Sequence, residues 1–160
     1  MNGPHRRRLE LCLRSWLGNA MISLSIADFD ADPDTVTVIL GLEPTKIFRE
    51  GDPMRNGRPR EKNVWILDGP QERLRSGAEH EDAVNYLIEQ MRGREEAFAR
   101  LRREVRPKQI TIYGGFYQPD DEQCGIWLEP SAMRVLADCG VGWGVDLFVE
   151  DDAARHGSEV

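Results

Sequence analysis

Between Lys46 and Lys62 the chain carries Lys46, Arg49, Arg55, Arg58, Arg60 and Lys62 against Glu50, Asp52 and Glu61, a local excess of three positive charges. Gly51, Pro53, Gly57 and Pro59 interrupt any regular element there and predict a loop. A basic loop of this kind could receive phosphate, nucleic acid or an acidic protein surface, because guanidinium and ammonium groups hydrogen-bond anionic oxygens. The competing reading is a solvated loop whose charges offset nearby acids. Lys46, Arg49, Arg55, Arg58 and Arg60, with Trp65 just beyond them, are the candidate ligand- or partner-binding residues.

No other cluster has the makings of a reactive centre. Asp28, Asp30 and Asp32 alternate as the first ligands of a calcium loop would, but no glycine stands at the sixth position and no glutamate at the twelfth. They read as a solvated turn. His5, His80 and His156 lack a second histidine or a cysteine three or four residues away, so no zinc site is expected. No serine sits in a nucleophile-elbow pattern. Cys12, Cys124 and Cys139 are an odd number at no ligand spacing; they read as three unpaired thiols, with a Cys124–Cys139 disulfide as the alternative in an oxidising compartment. Cys139 precedes Gly140 at a helix C-terminus, where the dipole raises a thiol's pKa and disfavours nucleophilic use. No catalytic residue, metal or cofactor is predicted.

The elements that position the basic loop are better marked. Ile22, Leu24 and Ile26 alternate with Ser23 and Ser25, which predicts a half-buried strand over residues 21–27. Asp32 is a good N-cap, Pro33 suits the first helical turn, Val36, Ile39 and Leu40 form an apolar stripe, and Gly41 supplies the stop. Two β-branched valines and two threonines make this helix weak on propensity, so packing must hold it. Asn63–Asp68 reads as a second strand, with Trp65 on the core and its indole N–H in need of an acceptor.

Val84, Leu87, Ile88, Met91, Phe98, Leu101 and Val105 recur at helical spacing and predict one long helix from His80 to Val105, with Gly93-Arg94 marking a bend or close contact. Its charged side reads as solvated. Lys108–Tyr117 reads as a strand whose Gly114-Gly115 marks a bulge at the hairpin mouth, with close approach of a ligand to the backbone as the alternative, and Cys124–Leu128 as its antiparallel mate across a polar turn. Glu129-Pro130 opens another short helix with Met133, Leu136 and Ala137 inward and Gly140 as its stop, and residues 141–149 form the last strand. Residues 1–20 read as an N-terminal extension, either ordered, with Leu9, Leu11 and Leu13 alternating as in an edge strand or Trp16 and Leu17 closing a short helix, or poorly ordered; residues 151–160 read as a flexible polar tail.

These elements compose a single α+β domain over residues 21–150. It has an antiparallel or mixed sheet of about five strands, one long and two short helices, and a possible internal repeat of strand–helix–strand units. The size of 160 residues suffices for a substantial core. A net charge of −7 argues against nucleic acid or an anionic membrane as the main partner, and no apolar run reaches the length of a membrane span. Arg6-Arg7-Arg8 imitates the start of a signal peptide, but Glu10 and Arg14 break the apolar region that should follow, which points to the cytoplasm.

The order of strand, Asp-Pro helix, Leu40-Gly41-Leu42-Glu43-Pro44-Thr45, Arg49-Glu50-Gly51-Asp52, then a strand with Trp65, resembles the bacterial domain-of-unknown-function family 4279, over about Met21 to Val149. The resemblance implies a small bacterial cytosolic α+β domain and assigns no activity and no catalytic residues. The leading expectation is therefore a non-enzymatic module that binds a protein partner, as toxin-neutralising immunity proteins do. A binder of phosphate, nucleic acid or a small anion through the basic loop is the alternative, and an enzyme of unknown class the third.

Overall fold

The computed structural model describes residues 22–70, 77–119 and 126–150. The extension 1–20, the tail 151–160 and Cys124 lie outside them. Five strands, β1 (Ser23–Phe29), β2 (Lys46–Phe48), β3 (Asn63–Asp68), β4 (Gln109–Pro119) and β5 (Gly142–Glu150), form one sheet in the order β2-β3-β1-β4-β5. Every neighbouring pair is antiparallel except β4 and β5, which run parallel, so the sheet is mixed.

Four helices cover one face: α1 (Pro33–Leu40), α2 (Gly77–Met91), α3 (Glu95–Glu104) and α4 (Pro130–Cys139). Leu24 and Ile26 of β1, Trp65 and Leu67 of β3, and Ile110 and Ile112 of β4 point to that face and join the helical stripes in one apolar cluster. Ser23, Ser25, Thr111 and Tyr113 stand on the other face, with Lys46, Phe48 and Asp68. Ile66 is on that face too, which is why it is buried yet outside the core cluster.

α1 is held by the caps its sequence announces. The Asp32 carboxylate accepts from the Asp34 N–H at 3.0 Å, Pro33 begins the first turn, and Gly41 turns left-handed at φ 62°. Its weak propensity is offset by packing, because Val36, Ile39 and Leu40 are buried and Thr37 accepts the Trp65 indole N–H at 3.0 Å. α4 repeats the punctuation with Pro130 and with Gly140 at φ 60°. The two units join strands differently, however: α4 links the parallel neighbours β4 and β5, whereas the chain leaving α1 reaches β3 through the edge strand β2.

Three readings of the sequence are corrected. The apolar stripe from His80 to Val105 is carried by two helices, because Gly93 adopts φ 74° and α3 restarts at Glu95. The Arg94 guanidinium fastens the junction, donating to the carbonyls of Leu40 at 3.1 Å and Gln90 at 2.7 Å, so one side chain caps both α1 and α2. Ile126–Leu128 is not a strand; β4 pairs with β1 and β5 instead. In α4 the inward positions are Ala132, Val135, Leu136 and Cys139, while Met133 and Ala137 face out.

Gly114 is a close approach rather than a bulge: a Cβ there would lie 2.5 Å from the Ile22 side chain. The bulge falls at Asp28, whose φ of 60° shifts the register between Ala27 and Phe29 and turns Phe29 into the core.

Candidate functional site

The basic segment is an ordered arm. Gly51 N–H donates to Arg60 O at 2.9 Å, Arg60 N–H to Asp52 O at 2.9 Å and Met54 N–H to Arg58 O at 2.8 Å, with a further bridge between Pro53 and Pro59. Asn63 fixes its base, accepting from Glu50 N–H at 2.7 Å and donating to Ala31 O at 2.9 Å.

Most of the cations predicted to bind a ligand are partnered within the fold. Lys46 stands 3.0 Å from the Asp68 carboxylate, whose side chain is wholly buried and also accepts from the Ser23 hydroxyl at 2.6 Å. Arg49 forks onto Asp32 at 2.8 Å and Asp34 at 3.3 Å, and its contact holds the Asp32 carboxyl below the usual carboxylate range. Arg60 lies over the Phe48 ring, 4.0 Å from its centre. Lys62 pairs with Asp30. Arg55 and Arg58, at the tip of the arm, are exposed, and their side chains have no partner among the described residues.

Trp65 is fully buried on the helix-covered face, whereas its neighbours Lys46 and Phe48 stand on the opposite face. The structure therefore does not bring it together with the charged side of the arm. It packs in the apolar core.

Five large apolar side chains are exposed among the described residues: Val38, Tyr86, Trp127, Met133 and Trp143. Two of them, Trp127 and Met133, fall in the connection from β4 to β5, and Trp143 is the second residue of β5. Trp127 is 69% exposed and its indole N–H donates to Glu129 at 3.0 Å; Met133 is 50% exposed on the outer side of α4. Trp143 lies beside Ile112 on β5, the strand that closes this side of the sheet. Sequence reasoning missed this surface because it placed Trp127 in a strand and Met133 in the core. Its one legible signal was the Pro130 start, which sets the phase of α4.

Among the described residues, two of the surface cavities are of small-molecule size. One, of about 440 Å³, lies between the α2–α3 junction and α4 and is lined by Arg92, Glu95, Ser131, Arg134 and Asp138. The other, of about 390 Å³, lies where β1 ends and β4 begins. Among the described residues no three His, Cys, Asp or Glu side chains converge where they could hold a metal ion. The Cys139 thiol is buried, which pushes its pKa up to about 11 and leaves it protonated and unreactive at neutral pH. Tyr113 donates to Asp146 across the β4–β5 pair, and burial together with that bond raises its pKa.

The arrangement is that of a small α+β domain with a five-stranded mixed sheet, helices on one face and a partnered basic arm. The chain belongs to the family described as domain of unknown function DUF4279, whose model matches residues 19–150. No curated protein and no solved structure matches it. Among the described residues no helix is long and apolar enough to cross a membrane.

Proposed function

We propose that this chain is a non-enzymatic binding module of the bacterial cytoplasm that engages a protein partner through the β4–β5 connection. The observation that carries the reading is the exposure of three apolar side chains close together in sequence, Trp127 and Met133 in the connection from β4 to β5 and Trp143 at the start of β5. Exposed aromatic residues and methionine are the usual anchors of protein interfaces, and water is a poor neighbour for them. Beside them β5 is the edge of the sheet among the described residues, so an extended segment has backbone groups to pair with.

Charge indicates the chemistry of the partner. Between residues 126 and 150 four acids, Glu129, Asp138, Asp146 and Glu150, stand against Arg134 alone, and the whole chain is at −7. A basic protein is therefore the complementary partner, and neutralisation of a basic toxin by an immunity protein is the biological setting this fits. Recognition of an anion by the arm has less behind it, because Lys46, Arg49 and Lys62 are already paired and only Arg55 and Arg58 stand free of partners among the described residues.

The test compares three forms of the protein as bait in lysate of the native host: wild type, Trp127→Ser/Met133→Ser, and Arg55→Ala/Arg58→Ala. A basic protein retained by the wild type and the arm variant but lost by the surface variant supports the reading. Loss with the arm variant, retention by the surface variant, or no specific protein at all overturns it.

A further inference from the structure

The segment that joins β2 to β3 is longer than the join requires. Antiparallel neighbours are commonly linked by about 2–5 residues, yet residues 49–62 separate Phe48 from Asn63. None of residues 49–62 is buried or belongs to the apolar cluster, so the excursion adds nothing to the core. It is nevertheless built as a hairpin, with backbone bonds from Gly51 and Arg60 at its base to Met54 and Arg58 near its tip. A turn closes it: Gly57 N–H donates to Met54 O at 2.8 Å, Asn56 Oδ1 accepts from Arg58 N–H at 3.1 Å, and Gly57 takes φ 78°. Pro53 and Pro59 bridge just below the turn and restrict the chain further.

The cations of the arm divide by position. At its base each has a partner: Lys46 on Asp68, Arg49 on Asp32 and Asp34, Lys62 on Asp30, and Arg60 over the Phe48 ring. At its tip Arg55 and Arg58 flank the turn, both exposed, and their side chains have no partner among the described residues. Neither of the two cavities described above is lined by a tip residue, and the two exposed side chains suit a surface rather than an enclosed small molecule. A hairpin ordered without burial thus presents two guanidinium groups in one place, and the backbone that carries them is set before any encounter.

We propose that the tip of the arm docks an acidic segment of a partner protein, the Arg55 and Arg58 guanidinium groups each taking a carboxylate. Guanidinium and carboxylate meet as planar forks through paired hydrogen bonds, which favours carboxylates held at a fixed spacing. The whole chain is at −7, but at physiological ionic strength exposed charges more than about 8 Å apart are largely screened, so a short segment at the tip meets the local positive charge. A nucleic acid is the poorer occupant. Its charge density of one per about 1.7 Å calls for a broad basic surface, and here two arginines stand before an acidic body. The arm leaves the sheet at its β2 end, and the surface that carries Trp127 and Met133 adjoins β5 at the other end, so this contact stands or falls independently of the protein-partner reading above.

The experiment is a titration of the isotopically labelled full chain with an octaglutamate peptide at physiological ionic strength, read by amide chemical shifts. Octaglutamine, inorganic phosphate and a short DNA duplex are titrated alongside. The expected result is a saturable shift centred on residues 54–58 with octaglutamate and none with octaglutamine. Arg55→Ala/Arg58→Ala should weaken binding about tenfold, equivalent to about 1.4 kcal/mol over two exposed ion pairs, with the rest of the spectrum unchanged. Asn56→Ala keeps both arginines but frees the turn, and should weaken binding about threefold. No saturable shift with octaglutamate, shifts spread over cations away from the arm, phosphate or DNA bound at the tip as tightly as the peptide, or variants that bind like the wild type would overturn the proposal.

Discussion

Lys46→Met separates a structural from a recognition role for the basic residues. The Asp68 side chain is fully buried, its oxygens held by the Ser23 hydroxyl at 2.6 Å and the Lys46 ammonium at 3.0 Å. At that separation the gross attraction is about 5 kcal/mol for an effective dielectric constant near 20. Removing one member of an enclosed pair costs about 3–5 kcal/mol, because the other charge is left without compensation. Lys46 keeps 40% of its side chain in water, which screens part of that gain. We therefore expect a loss of about 2 kcal/mol, with methionine preserving the packing of the stem. For a urea m-value of about 2 kcal/mol/M the midpoint falls by about 1 M, and the fluorescence of buried Trp65 is a suitable readout. Lys46→Met/Asp68→Asn removes both charges while keeping an acceptor for Ser23, and should recover at least half of the loss. A midpoint unchanged by the single substitution, or a double variant no more stable than the single one, would refute the reasoning.

Two further predictions follow from single side chains. Arg94→Ala removes the donor shared by the C-terminal carbonyls of α1 and α2. It should cost about 2 kcal/mol, seen as a fall of about 4–8 °C in the calorimetric midpoint, and Arg94→Lys should restore less than half, since an ammonium cannot fork to both carbonyls. The Cys139 thiol has its pKa raised by burial from 9.0 to about 11, so the folded protein holds that proton more tightly than the unfolded chain. Stability should be insensitive to this group below about pH 9 and fall as pH rises from there to about 11, and Cys139→Ala should lack that step in denaturation midpoints measured across the range.

Local signals were the readable part of this chain. Asp32, Pro33 and Gly41 announced α1, and Pro130 with Gly140 announced α4, because caps act within a turn of the residues that form them. The alternation in β1 gave its buried face for the same reason. What escaped was decided by distant partners. Ile126-Trp127-Leu128 has the composition of a strand, but β4 had its two neighbours in β1 and β5, and parallel pairing through α4 leaves no local mark. The acids that neutralise Arg49 lie at Asp32 and Asp34, and the acid for Lys46 lies at Asp68, so the basic segment looked open in sequence while the fold closed it. The cavity between Asp28 and Lys108 depends on a bulge and on two chain segments about eighty residues apart, and alternating aspartates gave no hint of it.

The role of the β4–β5 connection is tested most directly by placing a photo-crosslinking benzoylphenylalanine at position 127 and, in a separate protein, at position 38 in the host cell. Val38 is 76% exposed on α1 and Trp127 69% exposed before α4, so the control position is at least as open to solvent and to chance encounters. The account predicts an adduct with one basic protein from position 127 and none from position 38. Equal labelling at the two positions, or none at position 127, would contradict it.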